Sequence, residues 1–121
     1  VVGVGVDMVE VSRITELSQR HPRFVDRILS PRERRLSLTP SSIAGRWAAK
    51  EAVIKVLVDS RGLSWHECEV LRGVHGEPIL EFSGAAAQVA LERGIDTWHL
   101  SLSHDGGMVI AMVVASRGGA A

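Results

Sequence analysis

The sequence predicts one small domain in which antiparallel strand pairs pack with a long central helix. Three observations predict it. The 121 residues are 45% apolar and 23% charged, enough to bury a core but a thin one. The run Gly45–Leu57, GRWAAKEAVIKVL, is the most helix-prone stretch of the chain. Glycine-containing turns at 74–78 and 104–107 each separate two strand-like runs, as hairpins require.

Residues 1–11 alternate as a strand, with Val2, Val4, Val6 and Met8 on one face and Gly3, Gly5, Asp7 and Val9 on the other. The two glycines permit close backbone approach. Ser12 is a fair N-cap for a helix to about Gln19, which His21-Pro22 breaks. A short helix follows over Arg23–Leu29, and Ser30-Pro31-Arg32-Glu33 opens another with Pro at its first position. Thr39-Pro40-Ser41-Ser42 is a break. Ser41 or Ser42 is expected to cap the central helix, which runs to about Val58 and is ended by Asp59–Gly62. Trp65–Leu71, with Trp65 buried, and Ile79–Phe82 read as the first hairpin. Ser83-Gly84 leads into an alanine-rich helix to about Arg93. Thr97–Ser103 alternates, with Trp98, Leu100 and Leu102 on one face. Met108–Ala115 is almost wholly apolar and predicts a strand buried on both faces. Ser116–Ala121 is expected to fray.

Net charge is zero, but seven of the 14 basic residues fall within residues 12–36. Such arginines form either a solvated face or a docking patch for an acidic partner. That segment contains one aromatic, Phe24, which argues against nucleic acid as the partner. No apolar run approaches the roughly 18–20 residues that cross a bilayer, so no membrane is expected. The single cysteine, Cys68, excludes an internal disulfide and fits a reducing, cytoplasmic setting.

Three polar sites stand on apolar elements: Asp7, the Glu51/Lys55 pair one helical turn apart, and His104 at a glycine-rich turn. Asp7 is either a strand-end carboxylate bonded to backbone amides or a ligand. Two hard carboxylates far apart in sequence suit Mg²⁺, which takes one or two protein carboxylates and fills its shell with water and phosphate oxygens. Arg46, Lys50 and Lys55 are placed to meet phosphate charge. There is no Walker motif, no GxGxxG, no zinc-ligand spacing and no GxSxG elbow.

These residues also form an ordered set. Gly5–Ile14 (GVDMVEVSRI), Arg46–Lys55 (RWAAKEAVIK) and Ser101–Gly107 (SLSHDGG), with Gly62–Val70 and Gly76–Gly84 between them, resemble the holo-acyl-carrier-protein synthases. These are the short bacterial class of 4′-phosphopantetheinyl transferases. The resemblance covers nearly the whole chain. It implies a small α+β domain that assembles as a homotrimer with its sites between subunits. It also implies transfer of 4′-phosphopantetheine from coenzyme A to a serine of apo-acyl carrier protein, dependent on magnesium and leaving adenosine 3′,5′-bisphosphate. On that resemblance Asp7 and Glu51 are the Mg²⁺ ligands, Lys55 sits by the transferring phosphate, and Arg46, Lys50 and His104 serve coenzyme A. Either Glu51 or water on the ion takes the serine's proton. Arg13, Arg20, Arg23 and Arg27 match the carrier-docking helix, and the acidity of carrier proteins raises docking above the solvated-face reading.

Overall fold

The longest element is a helix enclosed on most sides, and the strands are laid against it. The computed structural model describes residues 1–58 and 62–118. Strand β1 (Gly3–Glu10) leads into three helices, α1 (Val11–Arg20), α2 (Phe24–Ile28) and α3 (Pro31–Arg34), and then the central helix α4 (Pro40–Leu57). A 3₁₀ turn (Trp65–Glu67) precedes β2 (Cys68–Arg72) and β3 (Pro78–Phe82). Helix α5 (Gly84–Glu92), β4 (Thr97–Asp105) and β5 (Met108–Ser116) complete the order. The strands form two antiparallel sheets, β1-β5-β4 and the hairpin β2-β3.

Local chemistry explains the ends of α3 and α4. At α4, Thr39 is the N-cap, not Ser41 or Ser42: its hydroxyl accepts the Ser42 N–H at 3.1 Å, and Pro40 fills the first turn, where its missing N–H costs nothing. The helix stops at Leu57, with Val58 in the left-handed region at φ 64°. At α3 the expected proline start is a full capping box, in which the Ser30 hydroxyl accepts Glu33 N–H and Glu33 returns to Ser30 N–H. Helix α1 begins at Val11 with no side-chain cap, so Ser12 lies inside it. Trp65 lies in the 3₁₀ turn, not in a strand, and is only half-buried. Of the ending expected from Asp59–Gly62, residues 59–61 lie outside the described residues; of the tail expected to fray over Ser116–Ala121, Ser116 belongs to β5 and 119–121 lie outside them.

The core lies between α4 and the inner face of β1-β5-β4. Val109, Ala111, Val113 and Ala115 of β5 meet the alanines and valines of α4 there. Strand β5 is not buried on both faces, as its composition suggested. Its outward residues Ile110 and Met112 are 41% and 45% exposed, and they stand in register opposite Met8 and Val6 of β1, which are also exposed. The sheet is one layer on one helix, and none of the described residues covers its second face.

Small residues let β1 close on α4. A Cβ at Gly5 would stand 2.1 Å from the Ala52 carbonyl oxygen, a contact that only backbone movement relieves. Gly5→Ala is therefore expected to destabilise the fold by roughly 1–3 kcal/mol. The urea midpoint would fall with an unchanged m-value, and an unaltered midpoint would show that the strand moves away freely.

Candidate active site

Asp7 sits two residues beyond Gly5 on the same face of β1, so the close approach carries it onto the open stripe of α4. That stripe is narrow. Trp47, Glu51, Ile54 and Lys55 are its partly exposed residues, while Arg46, Ala48, Ala49, Lys50, Ala52 and Val53 are buried around it. Asp7 and Glu51 line one cleft of about 450 Å³ between β1, α1 and α4, with Arg13 and Trp47 in its walls. Lys55 bridges the seam, donating to the Val6 carbonyl at 2.7 Å and to the Asp7 carboxylate at 3.2 Å. Trp47 is held edge-on by Phe24 of α2 and packs against Trp65, with centroids 5.6 and 4.8 Å apart.

Burial raises the pKa of Glu51 above its ordinary value, the neighbouring Asp7 charge raises it further, and Lys55 opposes both. A carboxylate whose ionised form is disfavoured by burial and by a second carboxylate in the same cleft makes a donor set that a hard divalent cation would relieve. No cluster of three or more His, Cys, Asp or Glu suited to a metal occurs among the described residues. A cation here would therefore rest on this pair, with the rest of its shell left to oxygen from outside the chain.

Arg46 and His104 do not join that cleft within one chain. They line a separate pocket of about 160 Å³ between α4, β2 and β4. Arg46 is held there by Nε donating to the Val70 carbonyl at 3.0 Å and Nη1 to the Ser42 carbonyl at 3.3 Å. Burial lowers its pKa, Glu33 opposes the shift and Arg72 adds to it, but a guanidinium stays charged. Arg20, Arg23 and Arg27 line a third cleft at the end of α1, and Arg20 also makes an exposed ion pair with Glu16.

Lys50 departs from expectation. It does not face the Asp7/Glu51 cleft: its side chain is wholly buried on the side of α4 that meets α3 and β2. Its three N–H donors are spent on Glu33 at 2.8 Å, the Trp65 carbonyl at 2.8 Å and the Cys68 carbonyl at 2.5 Å. An ammonium so satisfied has no proton left for a phosphate. Glu33, the other half of this pair, was read only as a helix-start residue. Cys68 is buried beside it, and burial pushes its thiol up to about 12, which fits a packing residue.

The fold and its carboxylate cleft define a class: the chain belongs to the 4′-phosphopantetheinyl transferase superfamily, whose family model matches residues 3–113. Within it, the relatives are holo-[acyl-carrier-protein] synthases. That of Salinispora arenicola is 49% identical over 121 residues, spanning 97% of this chain and 99% of the relative. Among solved structures, the synthase of Neisseria meningitidis superposes with a TM-score of 0.86 at 31% identity, covering 96% of this chain and 98% of that one. The Helicobacter pylori synthase in complex with coenzyme A gives 0.83 at 33% identity, covering 93% and 99%.

The raised pKa of Glu51 has a stability consequence. The folded state binds its proton more tightly than the unfolded chain, so stability falls as pH rises from the ordinary value of 4.5 through the raised one. Without divalent cations at neutral pH, Glu51→Gln is expected to raise the urea midpoint, and the gain should vanish near pH 4. A variant less stable than the parent at both pH values would refute the strained-carboxylate reading.

Proposed function

We propose that the Asp7/Glu51 cleft is where this chain performs the transfer of its family, with Arg46 and His104 holding coenzyme A and the arginines of α1 and α2 receiving the carrier. The chain is a holo-[acyl-carrier-protein] synthase in activity: it moves phosphopantetheine from coenzyme A to acyl carrier protein. The observation that carries the site assignment is the meeting of Asp7, Glu51 and Lys55 on one strand–helix seam.

Asp7 and Glu51 would hold Mg²⁺, which supplies positive charge to the pyrophosphate of coenzyme A when bound. Lys55 adds a second cation, already fixed by Val6 and Asp7, so little rearrangement is needed to meet developing phosphate charge. Glu51 is the carboxylate of this cleft that would accept the proton of the attacking serine. Arg13 stands in the wall of the same cleft, and Arg20, Arg23 and Arg27 lie along the chain from it, so an acidic carrier docked there would bring its serine to the carboxylates. The cytoplasm is the setting this reading implies.

Assembly as a homotrimer belongs to the same reading. Two observations support it. Val4, Val6, Met8, Ile110 and Met112 leave a contiguous apolar face on β1-β5 uncovered. The Arg46/His104 pocket and the Asp7/Glu51 cleft are also separate within one chain, which a second copy could join across an interface.

Incubation with coenzyme A, Mg²⁺ and apo-carrier should add a phosphopantetheine mass to the carrier. Asp7→Asn and Glu51→Gln should each lower turnover by roughly 10²–10³-fold, and full activity in either would remove that residue from the site. Reversing Arg13 and Arg23 to Glu should raise the carrier's KM about tenfold or more while sparing that of coenzyme A; equal effects would dismiss the docking face. Light scattering should give the mass of three chains for the parent and of one chain for Met112→Glu. A monomeric parent with full activity would end the trimer reading.

A further inference from the structure

The site as read leaves one buried charged pair without a task. Glu33 and Lys50 are both fully shielded, and apart from the capping bond to Ser30 their side chains bond only to other elements. The Glu33 carboxylate accepts Ser30 N–H at 2.9 Å and Lys50 at 2.8 Å on one oxygen, and Val70 N–H at 2.9 Å on the other. The N–H and C=O of one strand residue point to the same edge. For Val70 that is the edge of β2 not paired with β3, and its carbonyl there accepts Nε of Arg46 at 3.0 Å. The contacts close a ring: from Lys50 on α4 to Glu33, to Val70, to Arg46, and back to α4 one turn before Lys50.

We propose that Glu33, held by Lys50, is a positioning residue for Arg46, fixing the Val70 backbone that aims the guanidinium into the pocket it shares with His104. Neither Glu33 nor Lys50 reaches that pocket. The inference rests on the reading of Arg46 as a coenzyme A contact. A guanidinium is useful to phosphate as a fork of fixed geometry, so its placement decides affinity. Loss of Glu33 frees the edge of β2, and Arg46 then loses the acceptor that orients it. A purely structural Glu33 predicts something else: less folded enzyme, hence a lower Vmax, with both Michaelis constants unchanged.

The test is steady-state kinetics of the full chain with coenzyme A, Mg²⁺ and apo-carrier, for the parent, Glu33→Gln, Arg46→Ala and the double variant. Glu33→Gln is expected to raise the KM for coenzyme A about tenfold, the scale of one lost charged hydrogen bond, with the carrier's KM within about twofold of the parent. The double variant should be no worse than Arg46→Ala alone, because the two changes act through one group. If Glu33→Gln yields no folded protein, Glu33→Asp takes its place: it keeps the charge beside Lys50 but shortens the reach to Val70, and the same split is expected. A fall in Vmax alone, or additive effects in the double variant, overturns the proposal. An unchanged KM for coenzyme A in Arg46→Ala overturns the assignment of Arg46 itself, and this inference with it.

Discussion

Asp7 and Glu51 share a cleft because β1 lies against the backbone of α4, and it lies there because Gly5 has no side chain. The Ala52 carbonyl occupies the space a Cβ would take. Asp7, two residues on, inherits that distance: one strand residue on the same face is the whole lever between the packing and the chemistry. Lys55 exploits the same closeness, reaching across to a carbonyl of β1 and to the Asp7 carboxylate. A larger residue at position 5 would thus disturb core and site together.

The opposite side of α4 is held by a different kind of contact. A buried ion pair adds little stability over an apolar pair of the same shape, because desolvation offsets the attraction, whereas breaking it leaves an uncompensated charge at a cost of about 3–5 kcal/mol. Glu33 and Lys50 are the fully hydrogen-bonded version of such a pair, tying α3, the 3₁₀ turn and β2 to one point of the helix. What it contributes is direction. The apolar contacts of Val53 and Leu57 would tolerate small rotations of α4; a carboxylate with three donors and an ammonium with three acceptors does not.

Much of this was legible in the sequence. The alternation of glycines and valines in β1 marks the close-approach face and puts Asp7 on it, and the pairing of Asp7 with Glu51 follows from two hard carboxylates on otherwise apolar elements. The two lysines of the central helix were harder. Lys50 and Lys55 are five residues apart, about 140° around the helix axis, and sequence alone does not say which direction is core when α4 carries small apolar residues all round. The usable signal was the capping box at Ser30: a Glu turned back toward its own helix start is also a Glu aimed at whatever packs there. Strand β5 misled for a related reason. An unbroken apolar run means two covered faces, but it does not say that the second cover belongs to the same chain, and among the described residues none lies over Ile110 and Met112.

The two sides of α4 together explain how a site can be held in a state that the bare protein disfavours. Burial and the neighbouring Asp7 charge both disfavour the ionised form of Glu51. A surface helix would relieve that by turning a few degrees and letting the carboxylate into water. Helix α4 is not free to turn: β1 holds it by backbone contact on one side, and on the other Lys50 holds it by three hydrogen bonds, one of them to a Glu33 that is itself tied to β2. The unfavourable charge is therefore kept in place, and its relief is left to whatever cation enters the cleft. Electrostatic strain of this kind persists only if the scaffold is stiffer than the strain is large, which is a physical reason for a chain this small to bury an ion pair one residue away from Glu51.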